Sequence, residues 1–364
     1  MPKRPDTENF RALFLGDVPM LDLRSPGEFA QGAFASSINL PLMTDEERAQ
    51  VGTCYKQRGQ AAALELGHKL VSGQSREQRM AAWQTFVQSN PEGYLYCFRG
   101  GLRSATVQSW LAEAGLHYPR VHGGYKAMRR FLLESLEQSL ASAELRLICG
   151  PTGSGKTRVI EALSRSVDLE GRAGHRGSSF GQLPQGQPSQ INFENALSID
   201  LLKQLAASDA PIYLEDEGRM IGSVHLPQSL RDAMAAAPVV QVDEPLDARV
   251  TVIVADYVLD LGRRYAELYG QDGPQRHREK LQADLLRIRK RLGGARQQTI
   301  AAMMEAAFDE QWRSGECHLH RNWVSSLLEN YYDPMYEYQL GQREGGVLFR
   351  GSRAEVIAWA SEEL

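Results

Sequence analysis

Two short glycine-rich segments of the 364-residue chain carry residue types that could do chemistry. The first reads CFRGGLRS from 97 to 104, and the second reads GPTGSGKT from 150 to 157. A cysteine becomes nucleophilic when positive charge and backbone N–H groups stabilise its thiolate. A glycine-rich turn between a strand and a helix binds phosphate through its backbone N–H groups. The sequence therefore predicts one thiol site and one phosphate site.

The candidate nucleophile is Cys97, which follows the apolar run GYLY. Glycines let successive backbone N–H groups point toward one anion, and arginines add guanidinium groups. We expect a helix to begin at Ser104 and to add its N-terminal dipole. The spacing also fits the C-x-x-x-x-x-R pattern of cysteine phosphatases, so the loop alone leaves phosphatase and chalcogen-transfer chemistry open. The residues expected around the anion are Arg99, Gly100, Gly101 and Arg103.

The second segment fits G-x-x-x-x-G-K-[ST] and lies between a predicted strand, ELRLICG, and a predicted helix, KTRVIEALSRSV. Lys156 is expected to neutralise the outer phosphate, and Thr157 is a predicted ligand of Mg²⁺. Glu215 and Asp216 end an apolar strand, where a second carboxylate near such a metal is expected. An N-K-x-D stretch that would read guanine is absent, which disfavours a GTPase. The predicted phosphate-binding residues are Gly150, Gly153, Ser154, Gly155, Lys156 and Thr157.

The length of the chain exceeds what one hydrophobic core usually organises, so two or three domains are expected. Residues 1–135 alternate short apolar runs with helical patterns, which indicates an α/β domain with a parallel sheet. Residues 136–255 form a predicted P-loop α/β domain. Residues 256–364 are predicted to be mainly helical and basic and to pack on that domain, with the last twenty residues adding a strand and a helix to it.

A long segment rich in Gly, Ser, Gln and Pro, at 171–190, has no periodicity and is predicted to be a loop. Loops of this length inside compact domains are often functional. Its polar residues suit a phosphate or a base, and loop surface is the equally weighted alternative. These second-tier candidates are His175, Arg176, Ser178 and Ser179.

The composition places the protein among ordinary globular proteins, with 24% charged and 42% hydrophobic residues. The four cysteines are far apart and form no C-x-x-C pair, which argues against a disulfide framework or a zinc site. The N-terminus lacks a signal-peptide pattern, and no apolar run reaches the roughly 18 residues of a membrane span. We therefore expect a cytoplasmic protein without a membrane partner.

The net charge of −4 gives no hint of nucleic acid, but its distribution does. Between Arg263 and Arg296 ten basic residues face four acids, a local excess of six. Such a stretch suits a phosphate backbone, although a solvated helix face would look the same. The candidate RNA-binding residues are Arg263, Arg264, Arg287, Arg289, Lys290 and Arg291.

Segments on both sides of the cysteine loop resemble the rhodanese family. LDLRSPGEFAQGAFASSINLP, from 21 to 41, is similar to its N-terminal signature, and GGYKAMR, from 123 to 129, is similar to the segment that follows the active loop. The resemblance implies a rhodanese-like domain in which Cys97 carries sulfur or selenium. It favours chalcogen transfer over a phosphatase.

A rhodanese module followed by a P-loop module resembles the tRNA 2-selenouridine synthase family almost from end to end. Further matching blocks are VGTCYKQRGQAAALELG (51–67), DLEGRAGHRGSSFG (168–181), LEDEGRMIGSVHLP (214–227) and NYYDPMYEYQ (330–339). The resemblance implies an N-terminal rhodanese-like domain, a P-loop NTPase-like α/β domain and a helical C-terminal extension.

The same resemblance implies a two-step modification of tRNA at wobble 2-thiouridine. Geranyl diphosphate first alkylates the thio group, and selenophosphate then supplies selenium while the geranyl thiol leaves. The P-loop would hold the diphosphate, with Mg²⁺ as a candidate ion, and Cys97 would handle the chalcogen. No tightly bound cofactor is expected; the expected partners are tRNA and the enzyme that makes selenophosphate. Tyr331, Tyr332, Tyr336 and Tyr338 are expected to stack a base, to line a prenyl pocket or to belong to the core.

Three other functions remain open from the sequence. A cysteine phosphatase fused to a nucleotide-binding module would hydrolyse aryl phosphates through Cys97 and Arg103. A binding module would dock a sulfur carrier and use the P-loop as a nucleotide-operated RNA clamp. A tRNA sulfurtransferase would accept thiosulfate as a sufficient donor.

Overall fold

The computed structural model describes residues 4–341 and 346–363. The elements before the phosphate loop are α1 (Phe10–Leu15), β1 (Met20–Asp22), α2 (Pro26–Gln31), β2 (Ser37–Asn39), α3 (Asp45–Leu70), α4 (Gly73–Ser89), β3 (Tyr94–Tyr96), α5 (Leu102–Glu113), α6 (Gly124–Ser142) and β4 (Leu145–Cys149).

The elements that follow the phosphate loop, as far as β9, are α7 (Lys156–Ala162), β5 (Ser166–Val167), α8 (Leu169–Ala173), α9 (Gln190–Ala207), β6 (Ile212–Glu215), β7 (Met220–Ile221), β8 (Val224–His225), α10 (Gln228–Ala236) and β9 (Val239–Val242).

The remaining elements are mainly helical: α11 (Leu246–Ile253), a π-helical segment (Val254–Asp260), α12 (Leu261–Tyr269), a 3₁₀ turn (Gly270–Asp272), α13 (Gly273–Arg287), α14 (Arg289–Leu292), α15 (Gly294–Ser314), α16 (His320–Leu327), a second π-helical segment (Leu328–Tyr332), α17 (Asp333–Leu340), β10 (Val347–Gly351) and α18 (Arg353–Glu362).

The chain divides into two compact units, which are described separately. Unit 1 comprises Met1–Gln138 and Ser189–Ala206, and unit 2 comprises Ser139–Pro188 and Ala207–Leu364. The boundary near residue 138 lies close to the expected one at 135. The assignment of 189–206 differs from the boundaries expected from the sequence, which placed this segment in the P-loop domain.

Unit 1 is built on a three-stranded parallel sheet with the order β2-β1-β3, as the alternation of apolar runs and helical patterns predicted. Leu21 in β1 lies in register with Ile38 of β2 and Leu95 of β3. Helices that cover a parallel sheet bury its strands; Leu21 and Leu95 are fully buried with Trp83 of α4. The sheet places Cys97 directly after β3, at the carboxyl end of the strand, with α5 following.

Helix α9 joins unit 1 through polar contacts rather than through its neighbours in sequence. Asn192 Oδ1 accepts a hydrogen bond from the Ala33 backbone N–H at 2.7 Å, and Asn195 Nδ2 donates to the Ala33 carbonyl at 2.9 Å. Arg129 of α6 donates to Asn195 and pairs with Glu194. These partners lie more than sixty residues away along the chain, which explains why local sequence patterns gave no sign of them.

Unit 2 contains a five-stranded parallel sheet with the order β10-β9-β4-β6-β5. The phosphate loop follows β4, which is the central strand, and leads into α7. Strand β10 pairs in parallel with β9, and α18 packs nearby through the buried residues Val356 and Ala360. The predicted return of the chain's last strand and helix to this unit is therefore confirmed.

Most of the region from 246 to 340 is helical and has its own apolar core; the sequence predicted this helical region to begin at 256, ten residues later. Leu261, Leu285, Phe308 and Trp323 are almost completely buried in this core, which also includes Phe180 from the long loop. The core therefore fixes the helices and the loop beside the phosphate-binding segment. Among the residues described, no helix is both long and apolar enough to cross a membrane.

Candidate functional sites

The thiol of Cys97 is held inside a tight loop in unit 1. Only 3% of the residue's surface is exposed, and its Sγ donates to Ser104 Oγ at 3.3 Å. Ser104 Oγ in turn donates to the Gly101 carbonyl at 3.0 Å. Helix α5 begins at Leu102, two residues before the predicted start, because its first turn already includes the end of the loop. The thiol therefore sits at a strand-to-helix junction, as expected.

Close backbone packing fixes the shape of the cysteine loop. Gly100 adopts a φ of +62° and Gly124 a φ of +57°, values that favour glycine. A Cβ added to Gly124 would lie 2.2 Å from the Cys97 carbonyl oxygen and 2.4 Å from the Gly100 nitrogen. The Tyr125 N–H donates to the Cys97 carbonyl at 2.9 Å. The segment GGYK thus forms one wall of the loop, which gives its sequence match a structural reason.

The two arginines of the loop differ in their surroundings. Arg103 Nη1 donates to Glu28 Oε2 at 2.6 Å, and Arg48 Nε lies 3.3 Å from Glu28 Oε1. Although burial raises the pKa of Glu28, Arg103 and its other partners lower it more, to about 2. Arg103 is therefore held by a carboxylate at the edge of the loop. Arg99 is exposed.

The P-loop in unit 2 wraps an open space as the motif predicts. Gly150, Gly153 and Gly155 have φ values of +153°, +83° and +81°. Lys156 Nζ donates to the Gly150 carbonyl at 3.2 Å, so the ammonium lies across the loop. Ser154 is completely buried and does not line the cavity, and its backbone N–H donates to the Pro151 carbonyl at 3.0 Å, so the structure does not place this predicted residue at the phosphate site.

The carboxylates near the P-loop are not the pair expected from the sequence. Glu215 is fully buried, and its Oε2 accepts from the Leu169 N–H at 2.8 Å; it does not line the cavity. Asp216 does line it. Glu170 of α8 accepts a hydrogen bond from Thr157 Oγ1 at 3.3 Å and is hydrogen-bonded to Glu217. These two acids were missed because only the fold brings them to the lysine and the threonine.

Burial raises the pKa of both Glu170 and Glu217, while the charge of Lys156 opposes the shift. Two carboxyl groups that hydrogen-bond each other share a proton. Mg²⁺ usually takes one or two protein oxygens and completes its shell with phosphate and water. The Thr157 hydroxyl together with Glu170 or Asp216 has the donor chemistry to hold such an ion.

A cavity of about 1030 Å³ opens above the P-loop within unit 2. Tyr257, Tyr331, Tyr332 and Tyr336 form an aromatic part of its lining, whereas Tyr338 lies outside it with 71% of its surface exposed. Three of the four tyrosines expected to stack a base, to line a prenyl pocket or to belong to the core therefore lie at the cavity, and two of them, Tyr331 and Tyr332, also belong to the buried core. A diphosphate fills only part of this volume, so the cavity can also hold an organic group.

The long loop predicted between 171 and 190 forms another side of the cavity. His175, Arg176, Ser178 and Ser179 all line it. Burial, and then the charges of Lys280 and Arg287, lower the pKa of His175 to about 4, so the imidazole is neutral at pH 7. Lys280 donates to the Phe180 carbonyl, and Arg287 donates to the Ser179 carbonyl at 3.3 Å. Part of the basic stretch thus anchors the loop.

An ion pair connects the P-loop to the aromatic side of the cavity. Arg249 of α11 is 5% exposed, and its Nε donates to the Thr152 carbonyl at 2.9 Å. The same guanidinium forms a bidentate ion pair with Asp333, the first residue of α17. Arg353 Nε donates to the Ser154 carbonyl at 3.3 Å. Asp333, the acid of the NYYDP segment, therefore holds Arg249 in place beside the P-loop, a role that no local sequence pattern indicated.

The basic residues predicted to bind RNA have different environments. Arg263 pairs with Asp260 at 2.6 Å and with Glu267 at 2.6 Å, and it does not line the cavity. Arg264 and Arg291 do line it. Arg287 is bound to Asp284, while Arg289 and Lys290 are exposed on α14.

A G-x-x-x-x-G-K-T loop between the central strand of a parallel sheet and a helix defines unit 2 as a P-loop α/β protein, here joined to a second α/β unit with a cysteine loop. Residues 143–364 match a family model described as the tRNA 2-selenouridine synthase AAA domain. The chain belongs to the tRNA 2-selenouridine synthase family.

Curated relatives match nearly the whole chain. A protein from Alcanivorax borkumensis is 52% identical over 98% of this chain and 99% of its own length. A protein from Marinobacter nauticus is 50% identical over 99% of this chain and 98% of its own. One from Pseudomonas syringae pv. syringae is 51% identical over 98% of both. All three are named tRNA 2-selenouridine synthase.

Proposed function

We propose that this protein converts wobble 2-thiouridine in tRNA to 2-selenouridine, with selenophosphate as the selenium donor and S-geranyl-2-thiouridine as the intermediate. The observation that carries the proposal is the cavity above the P-loop, because one space offers a diphosphate site and a tyrosine-lined surface for an organic group. Family membership supports the overall reaction. We further propose a rhodanese fold for unit 1, supported by its parallel sheet and strand–cysteine loop–helix junction.

In the first step, the thiouridine sulfur attacks the carbon that carries the diphosphate. An S–C bond forms, the C–O bond breaks, and the diphosphate leaves with the electron pair while the base loses its N3 proton. Lys156 and the N–H groups of the P-loop stabilise the charge that develops on the leaving group. Mg²⁺, held by Thr157 with Glu170 or Asp216, would add positive charge at the same oxygens.

In the second step, the selenium of selenophosphate attacks C2 of the alkylated base, the C2–S bond breaks, and the sulfur leaves with a proton as geranyl thiol. Water then cleaves the Se–P bond, so that inorganic phosphate leaves and the selenium stays on C2. A thiocarbonyl sulfur is a poor leaving group, whereas the alkylated sulfur departs as a thiol, so prenylation activates the base. The Cys97 loop handles the selenium, since its backbone N–H groups and the α5 N-terminus favour an anion. Glu28 holds Arg103 at the loop edge. This arrangement favours chalcogen transfer over a phosphatase, in which Arg103 would face the phosphate.

The reaction takes place in the cytoplasm, where tRNA is available, and the enzyme that makes selenophosphate is a candidate partner. The test is mass spectrometry of nucleosides from thiolated tRNA incubated with geranyl diphosphate and then selenophosphate. We expect Lys156→Ala to abolish both products, and Cys97→Ser to retain the S-geranyl nucleoside but lose 2-selenouridine. Lys56→Ala and Cys317→Ser are matched controls that should behave like the wild type.

The proposal fails if the wild-type protein forms neither nucleoside. Hydrolysis of aryl phosphates that depends on Cys97 would then favour the phosphatase. Selenation that survives in Cys97→Ser would remove the cysteine loop from the second step and leave the P-loop assignment intact. Thiosulfate acting as a sufficient donor would favour a sulfurtransferase.

A further inference from the structure

In addition to Lys156 of the P-loop, a group of arginines lines the cavity. They come from α7, the long loop, α12 and α14. Because they are far apart in sequence, the fold alone assembles them around one space. The group, called the arginine cluster below, consists of Arg158, Arg176, Arg264 and Arg291.

Two aspartates connect three members of the arginine cluster. Asp256 Oδ1 lies 3.2 Å from Arg158 Nη2, and Asp256 Oδ2 lies 3.6 Å from Arg176 Nη1. Asp260 accepts from Arg176 at 2.5 Å and from Arg264 Nε at 2.7 Å. Within the group, three guanidinium groups therefore share two carboxylates, and Arg291 adds a fourth positive charge.

The arginine cluster also has unused hydrogen-bond donors. A guanidinium carries five N–H donors. Arg264 contacts Asp260 through Nε, which leaves its terminal nitrogens, and the buried Nε of Arg176 has no hydrogen-bond partner among the residues that the structure describes. Arg291 is exposed at the cavity. Since Asp260 is shared with Arg263 as well, its two oxygens cannot neutralise every cation around it.

The proposed function brings phosphates of the RNA backbone to this cavity, in addition to the diphosphate of the prenyl donor. The sulfur of the base must reach the carbon next to the diphosphate, so the nucleotide enters the space above the P-loop. A nucleotide within an RNA chain brings a phosphate on each side. Guanidinium groups are suited to phosphate because their paired N–H groups match its oxygens.

We propose that the arginine cluster is a binding subsite for the RNA backbone phosphates that flank the nucleotide being modified. The inference rests on the proposed function and adds to it the residues that hold the RNA next to the reacting base. Arg264 and Arg291 provide the accessible contacts, and Asp256 and Asp260 orient Arg158 and Arg176. Arg263 precedes Arg264 on the same element but is paired outside the cavity, so it serves as a matched control.

The first experiment measures binding of a thiolated anticodon stem-loop RNA to the full chain by fluorescence anisotropy at several KCl concentrations. We expect Arg264→Gln and Arg291→Gln each to weaken binding about five- to tenfold and to lower the slope of log K against log salt by about one. Arg263→Gln should weaken binding less than about twofold. Arg264→Lys and Arg291→Lys should restore much of the salt slope, because they keep the charge.

The second experiment identifies the phosphates. In one RNA, uncharged methylphosphonates replace the phosphates on both sides of the thiouridine. For the wild-type protein, this RNA should bind about tenfold more weakly than the unmodified RNA. For the Arg264→Gln/Arg291→Gln variant, the affinities of the two RNAs should differ by less than about twofold. Inorganic diphosphate, which probes the P-loop alone, should bind both proteins equally and also shows that the variant is folded.

Equal effects of Arg263→Gln and Arg264→Gln would overturn the inference, as would a methylphosphonate effect that is the same in the wild type and the double variant. The nucleoside assay separates this result from the proposed function. If the wild type forms the S-geranyl nucleoside while the arginine variants match the control, only the subsite is wrong. If it forms no product, the proposed function fails, whatever the RNA affinities.

Discussion

The ion pair beside the cysteine loop provides a prediction whose size can be calculated. Glu28 is surrounded by Arg103, Arg48 and the Ser25 N–H, and its pKa falls from the ordinary value of 4.5 to about 2. A change of this size corresponds to about 3 kcal/mol of stabilisation at pH 7. Because water screens a half-buried pair, we expect Glu28→Gln to lower the stability of unit 1 by about 2 kcal/mol.

The pH dependence follows from the direction of the pKa change. A carboxyl group with a lower pKa in the folded state stabilises the protein fully above its unfolded pKa of 4.5. The stabilisation is lost as the pH falls toward about 2. Since glutamine does not titrate, the difference between wild type and variant should shrink from about 2 kcal/mol at pH 7 to about 1 kcal/mol or less near pH 3.

The assay must report on unit 1 alone. We would equilibrate each protein in urea at each pH, apply a short deuterium pulse, and measure labelling of peptides from β1, β3 and α5 by mass spectrometry. Glu92→Gln is the control, because Glu92 is 83% exposed and lies 3.7 Å from Arg4, so its loss should cost less than about 0.5 kcal/mol. Equal stability of the two variants at pH 7, or a Glu28→Gln effect that persists unchanged to pH 3, would refute the reasoning.

Two further predictions concern the fixed geometry of the loops. Asp333→Asn leaves the buried Arg249 without its anionic partner, so we expect unit 2 to lose about 2 kcal/mol and geranylation to slow about tenfold, measured by thermal unfolding and by nucleoside analysis. Asp247→Asn, at an 89% exposed site, should change neither, and a normal geranylation rate in Asp333→Asn would contradict the positioning role. Gly124→Ala places a methyl group against the cysteine loop at a φ of +57°, so unit 1 should lose about 3 kcal/mol or more and selenation should stop. In the control Gly101→Ala, the added Cβ meets no atom within 4 Å, so the stability of unit 1 should stay within about 1 kcal/mol of the wild type and selenation should continue. Equal losses of stability in the two variants would show that the close approach at Gly124 is unimportant.

The sequence was sufficient to predict the features that depend on neighbouring residues. The P-loop from 150 to 157 contains its glycines, lysine and threonine in one run, and the strand and helix on either side make it recognisable. The parallel sheet of unit 1 could be predicted for the same reason, because its strands lie in short apolar runs beside helical patterns. In unit 2, strand β5 (Ser166–Val167) lies at the end of a segment that was predicted to be helical. The predicted start of α5, at Ser104, was wrong by only two residues, because Leu102 and Arg103 belong both to the loop and to the first turn of the helix.

Features that depend on distant pairs could not be predicted in this way. Glu170 of α8 accepts a hydrogen bond from Thr157, thirteen residues earlier in the chain, while Glu215, which stands in the expected position along the strand, is fully buried and accepts from the Leu169 N–H. A third acid in the stretch LEDEG, Glu217, was visible in the sequence, but nothing local distinguished it from its two neighbours. Arg249 and Asp333 are 84 residues apart, and their pairing becomes visible only when α11 and α17 are placed in space.

The basic stretch between Arg263 and Arg296 shows why a charge count cannot replace the structure. Its excess of six suggested an RNA-binding face, yet Lys280 and Arg287 bind carbonyl groups of the long loop, and Arg263 is neutralised by two acids. A cation already paired within the protein releases few counterions when RNA binds, so it contributes little to affinity. Arg264 and Arg291 differ from these residues through their place at the cavity, not through their number in the sequence. Position relative to the P-loop therefore decides which charges of this stretch can act on the substrate.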